Sequence, residues 1–362
     1  MRAEAESRSR RRQNGRTSYQ EFLAAEHIFR LSASAAFINY VARCCPKRPT
    51  IAPFSVVLLA SKMAPSTKVL HSEHHALLQA ESSDAAAVSI IDPATLTAAD
   101  TLLIVDVQHD FLPGGAFGVA EGDEILSGIC SLIPKFVDAG ATVIATRDYH
   151  PRNHCSFNTH GGPFPPHCVQ GSTGSKLHEA LAETLQPFLA EKESGGKAEN
   201  VHVVYKAFSP DIDSFGAFEY TQSNSDGRLT TRKEPPAECH CSLNWTGGFV
   251  LYSSMLCEDA NAPPDVMSVL SKRALADVVP KGGRMFVCGL AMDFCVIDSA
   301  VNFVTSCANP SDAKGTYIVH GLTRAAHIPG VGGHGSGFLT DPKDLIGKMK
   351  DNGIGLVDFE GV

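Results

Sequence analysis

The apolar positions of this chain fall into short continuous runs that alternate with longer amphipathic stretches. The run at 101–107 is apolar almost throughout, which is typical of a strand buried on both faces of a parallel sheet. Similar runs predict further strands at 141–145, 201–205, 285–288, 315–320 and 354–357. Amphipathic patterns predict helices at 75–81, 123–139, 175–189, 265–279 and 345–350. This alternation predicts an α/β fold: a three-layer sandwich with a mostly parallel, doubly wound sheet.

The pattern weakens in two parts of the chain. Residues 1–62 carry eleven basic and only four acidic side chains, which suits an organelle transit peptide. An over-long gene model that should begin at Met63 and a plain disordered tail fit equally well. We expect a lead-in segment at 63–99 and the main domain at 100–362. Within that domain, the polar stretch 219–262 is predicted to be an insertion or lid.

Composition limits the classes of function. A hydrophobic content of 43% is ordinary for a globular protein, and a net charge of −8 argues against nucleic acid as a partner. No apolar run reaches membrane-spanning length. Eleven cysteines without a CxxC pair predict free thiols in a reducing compartment. We therefore expect a cytoplasmic protein that acts on a small molecule, unless residues 1–62 direct it to an organelle; homo-oligomerisation is left open.

Chemically versatile side chains recur at the carboxyl ends of the predicted strands. In open parallel sheets these ends lie along one edge, where binding sites form. We therefore expect five such residues to converge there: Asp106, Asp148, His150, Lys206 and Cys295.

Cys295 is the candidate nucleophile. It follows the strand at 285–288 after a break at Gly289, and Asp293 stands where a helix N-cap is expected. The first turn of a helix offers free N–H groups and a positive dipole end, which favour a thiolate and can stabilise an oxyanion. A lone cysteine is more often a buried structural residue, and only its companions favour the nucleophile.

Asp106 is the candidate base for Cys295, because desolvation at the end of a buried strand would raise its pKa toward a useful range. Lys206 would hold the carboxylate, lower the thiol's pKa or stabilise charge in the transition state. Taken singly, each residue is more simply a structural carboxylate or a strand-end lysine. Their common location makes the catalytic interpretation the better one.

A second cluster has the composition of a metal site. Asp148 and His150 are two residues apart on an extended segment and therefore point to the same side. His154 and His167 follow in the same long loop. A carboxylate with two or three imidazoles suits Zn, Fe or Mn. The remaining histidines near this cluster and in the lead-in are interpreted as surface or packing residues: His71, His74, His75, His160 and His202.

Five segments occur in a fixed order along the chain: Asp106–Phe111 with Gly114–Gly115, Arg147–Pro151, Pro165–Cys168, Tyr205–Lys206 with Asp213–Phe218, and Gly289–Cys295. Together they resemble the motifs of the nicotinamidase branch of the isochorismatase-like hydrolases, over roughly residues 100–325. The long stretch 219–262 departs from that family.

The resemblance implies hydrolysis of nicotinamide, and of pyrazinamide, through a cysteine thioester in NAD salvage. Cys295 would be the nucleophile, with Asp106 and Lys206 as its catalytic partners. The N–H groups of Ala291 and Cys295 would form the oxyanion hole, and the peptide between Leu290 and Ala291 matches one that is cis in the family.

The resemblance also implies one divalent ion that binds the pyridine nitrogen, with zinc expected first and iron or manganese as alternatives. Its ligands would be Asp148, His150 and His167, with His154 as a fourth candidate. Phe111, Phe164 and Leu290 would contact the substrate.

Two alternatives remain. Another isochorismatase-like hydrolase would act on a different small amide or on a vinyl ether. A binding protein on a degenerate scaffold would not turn over substrate. The metal-type cluster argues against the first alternative, and the joint presence of Asp106, Lys206 and Cys295 argues against the second.

Overall fold

The computed structural model describes residues 70–193, 199–220, 230–231, 249–251, 270–307, 315–329 and 335–362. The predicted N-terminal extension and most of the predicted insertion lie outside these ranges. Among the described residues, no helix combines the length and the apolar character that a membrane crossing requires.

One sheet organises the described part of the chain. Its strands are β1 (Val88–Ile91), β2 (Thr101–Val105), β3 (Thr142–Asp148), β4 (Val201–Lys206), β7 (Phe249–Leu251), β8 (Leu270–Ala274), β9 (Arg284–Leu290), β10 (Gly315–Arg324) and β11 (Ile354–Phe359). A separate short pair is formed by β5 (Ile212–Asp213) and β6 (Thr230–Thr231). The strand order in the sheet is β1-β11-β10-β9-β2-β3-β4-β7-β8. Every pair of neighbouring strands between β1 and β4 in this order is parallel. Strand β7 then pairs with β4, and β8 with β7, both antiparallel.

Helices cover both faces of the sheet. They are α1 (Leu70–Glu81), α2 (Leu126–Asp138), α3 (Glu179–Glu193), α4 (Ile297–Asn302) and α5 (Pro342–Asp351). Leu102 and Ile104 of β2 share one core with α2 and α3, whereas Leu103 and Val105 share the other with α1, α4 and α5. This is the alternation expected of a strand buried on both faces. The predicted mostly parallel, three-layer α/β fold is confirmed.

Two local predictions about secondary structure are wrong. The described part of the predicted helix 265–279 is strand β8, followed by a short 3₁₀ turn at Leu275–Asp277. β8 pairs with β7, and this long-range pairing overrides the local helical periodicity. Strand β1 lies at the edge of the sheet and was not predicted. Ile90 on this strand is 64% exposed, so β1 is not a strand buried on both faces, the kind that a continuous apolar run predicts.

The predicted lead-in and the predicted insertion also contribute to the fold. The described part of the predicted lead-in supplies α1, which packs against α5, and β1, which pairs with β11. From the predicted insertion, β7 pairs with β4 through Val204 and Val250. The sheet therefore extends beyond the strands that the sequence predicts.

Candidate active site

Strand register places the predicted catalytic residues at one edge of the sheet. Val105 of β2 pairs with Gly289 of β9, and Asp148 of β3 pairs with Lys206 of β4. Asp106 follows β2 directly. The carboxyl ends of four adjacent parallel strands therefore meet at one place, as expected for an open α/β sheet.

Asp106, Lys206 and Cys295 are in contact and buried. The Lys206 Nζ atom lies 2.8 Å from Asp106 Oδ2 and 3.8 Å from Cys295 Sγ. It also donates a hydrogen bond to Asp148 Oδ1. The ammonium thus links two buried carboxylates to the buried thiol.

The backbone at Asp106 is held in an uncommon conformation. Its φ is +50°, in the left-handed region that non-glycine residues rarely adopt. Thr146 on β3 fixes this turn, because its Oγ1 accepts from the Asp106 N–H at 3.1 Å and donates to Asp106 Oδ1 at 2.7 Å. The carboxylate is therefore oriented before any substrate binds. Sequence reasoning missed Thr146, since a threonine inside a strand carries no local signal for this role.

Burial and neighbouring charges set the protonation states of the catalytic cluster. Burial raises the pKa of Asp106 to about 6, against the opposing pull of Lys206. Burial would lower the pKa of Lys206, but the carboxylates of Asp106 and Asp148 hold it well above its ordinary value. Burial likewise raises the pKa of the Cys295 thiol well above its ordinary value, although Lys206 opposes this. The resting nucleophile is therefore a thiol, and the expectation that the helix start alone favours a thiolate is wrong.

The connection from β9 to α4 brings Cys295 to this edge. A Cβ atom at Gly289, where φ is +105°, would lie 2.1 Å from the Val105 carbonyl oxygen, so only glycine fits. The peptide between Leu290 and Ala291 is cis, as the resemblance implied. A π-helical turn at Met292–Val296 then leads into α4.

The predicted N-cap role of Asp293 is wrong. The helical turn is capped at Ala291, whose carbonyl accepts from the N–H groups of Phe294 and Val296 at 3.1 Å. The Asp293 carboxylate instead accepts from the N–H of Ala326 at 2.8 Å. It therefore ties the nucleophile turn to the segment that follows β10.

Asp148, His150 and His167 form a group with the spacing of a metal site. Each offers one ligand atom, and these atoms lie within 4.8 Å of one another. The Nδ1 atom of His150 donates to the Ala207 carbonyl at 3.2 Å, and that of His167 donates to the Pro165 carbonyl at 2.8 Å. Because a carbonyl only accepts, each ring in its neutral form carries its lone pair on Nε2, the arrangement common among metal-bound imidazoles.

The protonation states of this group also suit a cation. Burial lowers the pKa of His167 to about 3, so its imidazole is neutral at physiological pH. Burial would raise the pKa of Asp148, but Lys206 and His150 hold it well below its usual range. Gln108 fixes the main chain of Asp148, accepting from its N–H and donating to its carbonyl at 2.8 Å each. The donor set of one carboxylate and two imidazoles therefore fits a divalent metal ion.

His154 lies beside the group but not in it. Its ring packs against that of His150 in a tilted arrangement, with centroids 4.1 Å apart. Its Nδ1 lies 2.7 Å from Ser156 Oγ, and its Nε2 donates to the Ile212 carbonyl at 3.2 Å. Both ring nitrogens of His154 are engaged in hydrogen bonds, so in this geometry the ring has no free lone pair for an ion. Its role as a fourth ligand stays a prediction.

Asp106, Asp148 and Cys295 also lie within ligand distance of one another. The Lys206 ammonium is already paired with both carboxylates there. A second cation in that place would meet a like charge, so we assign no metal to it.

A cavity joins the nucleophile to the metal-type group. Its volume is about 470 Å³ including its open mouth. It is lined by Phe111, Phe117, Val119, Asp148, His150, Phe164, His167, Asp213, Ser214, Phe215, Ala291, Phe294 and Cys295. The predicted contacts Phe111 and Phe164 are on its wall, whereas the Leu290 side chain is buried behind it, toward Gly122.

Sequence reasoning missed several lining residues. Phe117 and Phe215 come from two separate loops and Phe294 from the π-helical turn, and isolated phenylalanines give no local signal of a shared wall. Asp213 lies in one of the segments that carry the family resemblance, but no role was assigned to it.

The chain is similar to several known proteins. Residues 100–204 match the isochorismatase domain family. A nicotinamidase of Escherichia coli (strain K12) is 36% identical over 132 residues, which are 32% of this chain and 55% of the relative. A nicotinamidase of Acinetobacter baylyi is 35% identical over 150 residues, 37% of this chain and 62% of the relative. The chain thus spans between half and two thirds of the length of these curated relatives.

A solved structure of a Pyrococcus horikoshii pyrazinamidase in complex with zinc aligns with 72% of this chain and 99% of its own, at 25% identity and a TM-score of 0.43.

Proposed function

Because residues 100–204 match the isochorismatase domain family, we propose that the protein is a nicotinamidase that hydrolyses nicotinamide to nicotinate and ammonia in NAD salvage. The observation that carries this proposal is the single cavity that joins Cys295 to the group of Asp148, His150 and His167. One end offers a nucleophile for a carboxamide, and the other offers a place for an electron-pair donor such as a pyridine nitrogen.

In the first half of the proposed reaction, the Cys295 sulfur attacks the carboxamide carbon as its proton passes to Asp106. The carbonyl oxygen becomes an oxyanion, which the N–H groups of Ala291 and Cys295 would stabilise. Asp106 then gives the proton to the amide nitrogen, the C–N bond breaks, and ammonia leaves a thioester. A pKa of about 6 lets Asp106 act in both directions near neutral pH.

In the second half, a water molecule attacks the thioester while Asp106 accepts its proton. The C–S bond breaks, nicotinate is released, and the proton returns to Cys295. Throughout, the Lys206 ammonium lies against Asp106 and the sulfur, so it stabilises negative charge on either group. This gives a buried lysine a role in the reaction.

Asp148, His150 and His167 would hold one divalent ion, which would supply a Lewis-acidic anchor for the pyridine nitrogen. The ligand set of two nitrogens and one oxygen favours zinc, with iron or manganese as alternatives. Phe111 and Phe164 line the cavity where an aromatic ring would lie. Pyrazinamide has a ring nitrogen in the matching place and is proposed as a second substrate.

The test is ammonia release by the purified, zinc-loaded protein from nicotinamide, pyrazinamide and benzamide. Benzamide has the same shape and carboxamide but no ring nitrogen. A site built around a polar contact rejects an analogue that lacks it by up to roughly 10⁴-fold in kcat/KM. Equal turnover of benzamide and nicotinamide would contradict the anchoring role, and no ammonia from any of the three would favour a hydrolase for a different amide or a vinyl ether.

A further inference from the structure

Asp213 is a buried carboxylate that the reaction above does not use. It lies on β5 and is 3% exposed, and it lines the cavity together with Asp148, His150 and His167. Within the described ranges, its Oδ2 atom is buried and has no hydrogen-bond partner. Such a group costs free energy unless something in the cavity pairs with it.

The charges around the cavity indicate what that partner is. Asp106 and Asp148 are both paired with the single ammonium of Lys206, which leaves one negative charge for an ion in the pocket. Asp213 adds a further buried carboxylate at the same cavity, so a divalent cation is the partner that would pair with both.

His154 positions the strand that carries Asp213. Its Nε2 donates to the Ile212 carbonyl at 3.2 Å, and its ring packs against that of His150. The histidine that the sequence suggested as a fourth ligand thus connects the metal-type group to the residue next to Asp213.

We propose that Asp213 is a positioning residue of the metal pocket: a second carboxylate, outside the direct ligands, that accepts hydrogen bonds from groups bound to the ion and raises the pocket's affinity for a divalent cation. This inference rests on the metal site of the proposed function. Outer carboxylates of this kind typically change metal affinity by roughly 10- to 100-fold.

The experiment measures zinc affinity of the full-length protein, stripped of metal, by competition with a chromophoric chelator. We expect Asp213→Asn to bind zinc roughly 10- to 100-fold more weakly than the wild type. Asp213→Glu, which keeps the charge, should recover part of the loss. Asp213→Ser is a second neutral variant, in case asparagine impairs folding. Zinc affinity of the neutral variants within twofold of the wild type would overturn the proposal.

Thermal unfolding separates this role from a merely structural one. Without metal, Asp213→Asn should match or exceed the wild type in Tm, because it removes an uncompensated buried carboxylate. With zinc, its Tm should rise less than that of the wild type. A Tm that falls equally with and without zinc would mean a structural role and would overturn the proposal.

Asp211→Asn is the matched control. Asp211 lies two residues earlier, is 5% exposed and does not line the cavity. Its variant should keep wild-type zinc affinity, and an equal loss there would mean a general charge effect.

His154→Phe tests the connection through Ile212. It keeps an aromatic ring but loses the donor, and it should weaken zinc binding. The double variant His154→Phe/Asp213→Asn should bind zinc about as weakly as Asp213→Asn alone. Fully additive losses would overturn the connection.

Nicotinamide hydrolysis is measured in parallel. If hydrolysis is intact and the affinity difference is missing, the inference about Asp213 fails alone. If the affinity difference is present and wild type releases no ammonia, the proposed function fails alone.

Discussion

Two regions of this protein bury several histidines, and they differ in what surrounds the rings. Around Cys295, the Nδ1 atoms of His150 and His167 donate to backbone carbonyls, and Asp148 lies beside the rings. Where α1 crosses β10, the ring of His320 packs in tilted contact with those of His71 and His75, with centroids 4.2 Å away in each case. Among the described residues, no backbone carbonyl accepts a hydrogen bond from the His71 or His320 ring, and a cation, Arg324, lies near both rings.

The comparison shows that burial alone does not make a metal site. Burial lowers the pKa of His71 to about 3 and of His320 to about 4, as it does for His167. Only the cluster at the sheet edge adds backbone carbonyls that orient the rings, those of His150 and His167. We call the residues His71, His75 and His320 the α1 cluster.

The histidines of α1 are not the surface residues that the sequence suggested. His74 is 2% exposed and packs against Phe338, with ring centroids 4.6 Å apart. The helix begins against Glu121, whose carboxylate accepts from the N–H groups of Leu70 and His71 at 3.0 and 3.1 Å. An acid at a helix N-terminus stabilises it, so α1 is docked at both its start and its histidine face.

The largest expected effect is at the nucleophile. Cys295→Ala should reduce ammonia release from nicotinamide by at least about 10³-fold while leaving the fold intact, because it removes the group that forms the thioester. The matched control is Cys288→Ala, which removes a buried free thiol of β9 that does not line the cavity. Comparable loss in both variants would contradict the assignment. Iodoacetamide labelling, with nicotinamide as protectant, gives an independent readout.

Asp106→Asn and Lys206→Met should each lower kcat/KM by at least about 100-fold, since they remove an acid–base group and the charge paired with it. The two residues are in direct contact, so the double variant should lose far less than the product of the single losses. The measurement is a double-mutant cycle on steady-state rates. A product of independent losses would mean that the groups act separately.

The two histidine regions can be compared directly by zinc binding. His167→Ala should weaken zinc affinity by at least about 10-fold, because it removes a candidate ligand. His320→Ala is equivalent chemically but lies in the α1 cluster, and it should leave zinc affinity unchanged. Chelator competition measures both. If His320→Ala loses as much affinity as His167→Ala, burial alone would suffice and the comparison would fail.

The smallest expected effect is on acid stability. The folded-state pKa values of His71 and His320 lie below the unfolded value of 6.5, so below about pH 6.5 the unfolded chain binds more protons. Stability from the α1 cluster is therefore present above about pH 6.5 and falls as the pH decreases toward about 4. The charged and titratable groups that face these two rings are His74, His75 and Arg324.

The measurement is Tm against pH for the wild type and His320→Phe, with hydrogen exchange at α1 as the local readout. Phenylalanine keeps an aromatic ring at position 320 but cannot be protonated, so the Tm of the variant should fall less between pH 6.5 and 4 than that of the wild type. Identical pH dependence in both proteins would mean that these imidazoles do not control the docking of α1.

The sequence predicted those features of the site that depend on strand ends. A parallel sheet brings every strand's carboxyl end to one edge, so Asp106, Lys206 and Cys295 could be placed together without coordinates. The register between β3 and β4, which sets Asp148 beside Lys206, needed the structure.

Features that depend on long-range contacts could not be predicted. Thr146 and Gln108 act through hydrogen bonds to segments 40 residues away along the chain. The protonated resting state of Cys295 depends on how completely the fold buries it, which local sequence does not encode. The helix predicted over β8 failed for the same reason, since its strand partner β7 is distant in sequence.

The antiparallel addition of β7 has a consequence for solubility. Without it, β4 would be an edge strand, with open backbone groups along the row that carries Lys206. Exposed edges of apolar strands such as Val201–Tyr205 are templates for pairing between molecules. Val250 and Phe249 occupy that edge by pairing with Val204 and Tyr205. The stretch 219–262 thus supplies a strand that covers this edge, and we expect a variant that lacks residues 249–251 to expose β4 to aggregation.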